Sequence, residues 1–106
     1  MYNPHMIVVF VSFETQEHAE KVANYLIDKK IAACVSLIPV KSYYFWKGEK
    51  MTPHEVEAII KTEHDKFPLI EKSIQDLLAY EIPQIIAIDT TIVNPSYQKW
   101  LQETIQ

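Results

Sequence analysis

The sequence predicts an α+β domain in the order β-α-β-β-α-β, closed by one more helix. Three observations carry that prediction. Short runs rich in Val, Ile and Phe alternate with segments whose apolar residues recur at helical spacing. A long β-prone stretch without helical periodicity lies between the two helical segments. The length of 106 residues suits one domain, read here as 1–106, and one hydrophobic core needing no disulfide or metal staple.

The first run, His5–Phe13 (HMIVVFVSF), has the pattern of a strand buried on both faces. Thr15 is a helix N-cap candidate, and Glu14 and Glu17 put negative charge at the positive end of the helix dipole. Ala19, Val22, Ala23, Leu26 and Ile27 then recur on one helical face. His18, Glu20, Lys21, Asn24 and Asp28 point away, and Lys29 and Lys30 suit the C-terminal end. The run Ile31–Val40 (IAACVSLIPV) reads as a central strand, with the ladder interrupted or bulged at Pro39, which has no amide hydrogen.

From there the chain stays β-prone through Lys41–Trp46 and turns at Lys-Gly-Glu-Lys, around Gly48, the only glycine. Thr52-Pro53 marks an irregularity. His54–Thr62 then alternates Val56, Ala58 and Ile60 against Glu55, Glu57, Ile59 and Lys61, the period of a strand. Counted from Ser36 to Thr62, the hairpin arms outreach a typical strand of about five or six residues. An arm carrying Tyr43, Tyr44, Phe45 and Trp46 needs cover, and another copy of the chain is the simplest cover.

Asp65 can open the second helix, with Pro68 tolerated in its first turn and Phe67, Ile70, Ile74, Leu77 and Leu78 as its buried stripe. Tyr80–Pro83 leaves the helix, because the residue before a proline is pushed to extended geometry. Gln84–Asp89 is a last short strand. Asn94-Pro95 starts the terminal helix, with Tyr97, Trp100, Leu101 and Thr104 on its inner face. These elements compose a ferredoxin-like sandwich, an antiparallel sheet with helices on one face and an apolar open face that self-assembly would hide.

Composition narrows the function. One glycine rules out the Gly-rich phosphate cradles, which need several at fixed spacing. A net charge of −4 with no basic stripe argues against nucleic acid. The apolar stretch Ile7–Val11 is too short for a membrane span or a signal h-region, and the lone Cys34 agrees with a reducing compartment, so the expectation is a soluble cytoplasmic protein.

Among residues that could carry chemistry, Cys34 reads as a small buried hydrophobe between Ala33 and Val35, against weaker readings as a metal ligand or a nucleophile. His5, His18, His54 and His64 read as solvated surface histidines, able at most to bind copper or zinc adventitiously. Glu55, Glu57 and Lys61 share one side of a strand. The bland reading is a solvated face, or salt bridges with Lys47–Lys50. The functional one joins Lys61 with Tyr80 and Glu81 in a cleft between subunits, taking a small anion or a cation. No Ser-His-Asp arrangement follows from spacing, and no residue pattern argues for an enzyme.

Taken in order, Ile31-Ala-Ala-Cys-Val35, Ile38-Pro39, Ser42-x-Tyr44-x-Trp46-Lys-Gly48, Ile59-Ile-Lys-Thr62, Tyr80-Glu-x-Pro83 and Tyr97-x-x-Trp100-Leu101 resemble the CutA family of divalent-cation-tolerance proteins, over almost the whole chain. The resemblance implies a PII-like fold, a tight homotrimer sharing long hairpins, a role in tolerance of divalent metals, copper above all, and no catalytic activity. It implies no obligatory cofactor, although some members bind copper. By position it implies a ligand-binding cleft of Trp46, Glu55, Lys61, Tyr80 and Glu81, with Cys34 as the metal candidate. Many members read His-Pro-Tyr where this chain has Leu78-Ala79-Tyr80, which removes an imidazole beside the cleft.

Overall fold

The strand β1 (Met6–Phe13) buries Ile7, Val9, Val11 and Phe13 and leaves Val8, Phe10 and Ser12 half-covered, so it is two-sided but unequally so. The computed structural model describes residues 6–105; His5 lies outside them. The helix α1 (Gln16–Asp28) follows, capped by Thr15, whose Oγ1 accepts from the His18 amide at 3.0 Å. It ends in a Schellman motif. The amide of Ile31 donates to Leu26 O, that of Lys30 to Ile27 O, and Lys30 takes the left-handed conformation (φ 58°) that glycine usually supplies.

The helix end takes up Ile31 and Ala32, whose amides both donate to Leu26 O, so the next strand, β2 (Cys34–Lys41), starts later than the apolar run suggested. Nor is β2 central. The four-stranded sheet runs β2-β5-β1-β6, with β5 (His54–Glu63) and β6 (Ile85–Asp89), and every neighbouring pair is antiparallel. Pro39 sits in unbroken register opposite Val56. An edge strand has a side that faces no partner, so the missing proline donor need not interrupt the ladder there.

The predicted hairpin is present but jointed. Beyond Lys41 and His54 a separate two-stranded ladder pairs β3 (Tyr44–Trp46) with β4 (Glu49–Met51). The amide of Ser42 donates to Pro53 O at 3.0 Å, carrying the pairing across the joint. At the tip, Lys47 and Gly48 both have positive φ, 50° and 84°, the signature of a two-residue type I′ turn matching the twist of its strands. The arm makes the molecule elongated, at 50 × 25 × 21 Å.

After a short 3-10 turn at His64–Lys66, α2 (Phe67–Leu77) begins two residues beyond Asp65, with Pro68 in its first turn. Its Ile70 and Ile74, with Leu78 just past its end, meet Val22 and Leu26 of α1 over the buried sheet face of Val9, Val11, Ala58 and Ile60. Thr62 is the polar member of that face, and its hydroxyl donates to Ile31 O.

The third helix, α3 (Pro95–Thr104), departs from the one-sided arrangement. Leu101 and Ile105 pack on Met6 and Ala33, with Val8 and Tyr97 beside them. Met6 and Val8 alternate with Ile7 and Val9 along β1, so α3 covers part of the other sheet face. Trp100 is not on its inner face; it is exposed and stacks against Tyr97 at 5.3 Å. The rest of the second face is open, and Ile86 and Ile88 of β6 remain 53% and 54% exposed.

Candidate functional site

Chain direction sorts the predicted site residues. At one end of the sheet β1 finishes, α1 starts, α2 finishes and the hairpin departs. A groove of about 1050 Å³ lies there, lined among others by Trp46, Glu55, Tyr80 and Glu81. Four of the five predicted cleft residues therefore share one concavity. Lys61 does not join them. It lies six residues along β5 from Glu55, a distance of about 20 Å at the strand rise of ~3.3 Å per residue.

At that other end Lys61 pairs in register with Cys34, and its ammonium lies 5.9 Å from the centre of the Tyr97 ring. Cys34 is half-buried at the start of an edge strand, not enclosed in a central one, and its Sγ is 4.0 Å from Ser36 Oγ. Burial pushes the Tyr97 phenol above its ordinary pKa, and the nearby Cys34 thiol adds to the rise.

The wall of the groove is fixed by Tyr80. Its Oη accepts from the Glu14 amide at 2.8 Å and lies 2.7 Å from His18 Nδ1, with the two rings tilted by 55°. Loss of water around the phenol raises its pKa; the Glu14 amide works in the opposite direction, and the Glu14 and Glu55 carboxylates add smaller upward pushes. His18 is thus a half-buried partner of the site and not a solvated histidine. Sequence spacing held no signal for this contact, because the two residues are 62 positions apart. Its one local hint is the Thr15 cap, which puts His18 in the first turn of α1, beside the end of β1.

Glu81 reaches the hairpin. Lys47 Nζ lies 3.5 Å from Glu81 Oε2 and 5.5 Å from the centre of the Trp46 ring. Deeper on the sheet, Ser12 Oγ donates to Glu57 Oε2 at 2.6 Å. Lys47 of the tip thus does not pair simply across the strand: it joins two residues of the groove wall. His64 stays exposed, 3.9 Å from Asp89, and His54 is exposed at the start of β5. Among the described residues no group of three or more His, Cys, Asp or Glu side chains could hold a metal ion.

The family model described as CutA1 divalent ion tolerance protein matches residues 7–104. The chain belongs to the CutA1 family. A divalent-cation tolerance protein CutA from Pyrococcus horikoshii is 39% identical over 98 residues, spanning 92% of this chain and 96% of the relative. The crystal structure of CutA1 from the same organism superposes with a TM-score of 0.89 at 37% identity, covering 94% of this chain and 98% of that one. A protein from Archaeoglobus fulgidus, called periplasmic divalent cation tolerance protein CutA, gives a TM-score of 0.91 at 30% identity over 95% of this chain and 99% of the other. The order of elements, the sheet and the three helices described above are thus those of a CutA1 chain. Among the described residues no helix is long and apolar enough to cross a membrane.

Proposed function

We propose that this chain acts as a homotrimer in tolerance of divalent cations, copper above all, binding the ion weakly and catalysing no reaction. The observation that carries the reading is the groove at the hairpin base. There the His18 imidazole and the carboxylates of Glu14, Glu55 and Glu81 line one concavity in a CutA1 chain. Nitrogen and oxygen donors of this kind suit Cu(II). The described residues of one chain do not gather three such ligands within reach, so the weak site is completed by water or by a neighbouring copy.

Two features favour assembly. The open sheet face exposes Ile38, Ile86 and Ile88, and the arm exposes Tyr43 and Phe45, large apolar side chains that a neighbouring copy would cover. The strand order β2-β5-β1-β6 also fits a ferredoxin-like, PII-like subunit whose hairpin extends a neighbour's sheet. Cytoplasmic residence belongs to this proposal too, although a relative carries the word periplasmic in its name.

Calorimetric titration of tag-free protein with copper tests the ion. A saturable event is expected, lost on Glu81→Gln or His18→Ala; loss on Cys34→Ser alone would move the site to the far end of the sheet. Heat no greater than unspecific surface binding would reject the reading. The volume of the groove favours a second reading, a PII-like scaffold that takes a small ligand and signals to a partner. A thermal-shift screen separates the two, because a ligand at a hundred times its Kd stabilises by about 2.7 kcal/mol.

A further inference from the structure

Two residues of the groove wall, Trp46 and Glu81, already hold a cation at its edge, and it is the protein's own. The Lys47 ammonium leaves the tip of the hairpin, lies over the indole of Trp46 at 5.5 Å and reaches Glu81 at 3.5 Å. An aromatic face and a carboxylate are the two partners that together recognise an organic ammonium or guanidinium, by ring quadrupole and by charge. The same concavity carries Tyr80 as a second aromatic wall, and Glu14 and Glu55 as further carboxylates. Its volume of about 1050 Å³ far exceeds what one lysine head fills. Both members of the Lys47–Glu81 pair are more than half exposed, at 69% and 63%, so the contact is cheap to break.

We propose that this groove is a binding site for a small organic cation carrying a guanidinium or primary ammonium group, and that Lys47 is a built-in competitor which the ligand displaces. Trp46 and Tyr80 supply the aromatic walls, and Glu81 the carboxylate that changes partner. Tyr80 holds its place because His18 and the Glu14 amide fix its hydroxyl, so the wall is formed before any ligand arrives. Displacing Lys47 also unties the hairpin tip from the segment after α2, so occupancy is coupled to the freedom of the arm. The chain contains no arginine, so a guanidinium in the groove cannot come from a second copy.

The inference rests on the groove reading above but concerns another ligand class, and the test keeps the two apart. Agmatine, an alkyl guanidinium, is titrated into EDTA-treated full-length protein at low salt. A Trp100→Phe background leaves Trp46 as the only indole, and calorimetry runs in parallel. A saturable Trp46 fluorescence change with matching heat is expected. Glu81→Gln should weaken binding several-fold, as loss of a charge-assisted contact does. Lys47→Gln should tighten it about two- to five-fold, the worth of an exposed ion pair. Absence of saturation, equal binding of glutarate, or no tightening in Lys47→Gln overturns the proposal. Copper titrated into the same preparation reports on the metal reading independently, so failure with agmatine alone sinks only the organic-cation site.

Discussion

The hydroxyl of Tyr80 and Nδ1 of His18 lie 2.7 Å apart, which ties the segment after α2 to the first turn of α1 across 62 positions of sequence. The Glu14 amide donates to the same oxygen at 2.8 Å. Removing that oxygen with Tyr80→Phe leaves the ring packed but deletes both contacts. A net loss of about 1–2 kcal/mol is expected at ~1 kcal/mol per hydrogen bond. Urea unfolding at a fixed protein concentration measures it, and an unchanged midpoint would mean that the phenol is a bystander.

The same residue predicts an alkaline response. Burial holds the Tyr80 phenol, and that of Tyr97, above the ordinary value of 10.0. A raised acid ionises first in the unfolded chain. The stability it contributes is therefore intact below the unfolded pKa and is lost as pH rises through the folded one. The urea midpoint should fall above about pH 10 more steeply in the parent than in the Tyr80→Phe, Tyr97→Phe double variant. Parallel curves would contradict the sign.

Thr62 lies in the core with its hydroxyl donating to Ile31 O, joining β5 to the turn that closes α1. Thr62→Val keeps the shape and removes the donor from a buried carbonyl. A cost of about 1–3 kcal/mol is expected, because an interior acceptor then loses its partner. Equilibrium denaturation reads this directly, with Thr62→Ser as the control that restores the donor.

Lys30 closes the Schellman motif in a left-handed conformation, φ 58°. Side chains with a Cβ are strained there by roughly 1–2 kcal/mol, while glycine adds freedom to the unfolded chain. Lys30→Gly should raise stability by about 0.5–1 kcal/mol, visible as a higher melting temperature. A drop would mean that the lysine side chain contributes more than its backbone costs.

Much of this molecule is legible along the chain wherever one period dominates. The alternation of Val56, Ala58 and Ile60 against Glu55, Glu57, Ile59 and Lys61 appears intact in β5, and the Thr15 cap and the Leu26 stripe appear in α1. The errors arose where a long-range choice decides. Nothing local distinguishes an edge strand from a central one, so Pro39 reads as an interruption or bulge in a ladder that it leaves unbroken. The apolar Ile31 and Ala32 look like strand but serve the helix end. By type Trp100 suits the inner face of α3, yet Leu101 and Ile105 make the burial and the indole is exposed. The family resemblance implies Trp46, Glu55, Tyr80 and Glu81 in one site, and the topology brings them to one end of the sheet. His18 was missed because its partner is set by the meeting of two helix ends, which no spacing encodes.

The central claim is that the chain works as an assembly. In one chain Lys61 and Cys34 lie at the far end of the sheet from the Tyr80–Glu81 groove, so a site joining the two would need a neighbouring copy. Light scattering of the purified protein, coupled to size exclusion and repeated on dilution, tests this most directly. The account predicts a mass of about three times the 12.4 kDa chain, reduced by an Ile86→Glu, Ile88→Glu variant that charges the open face. A parent protein that runs as a stable monomer across that range would contradict it.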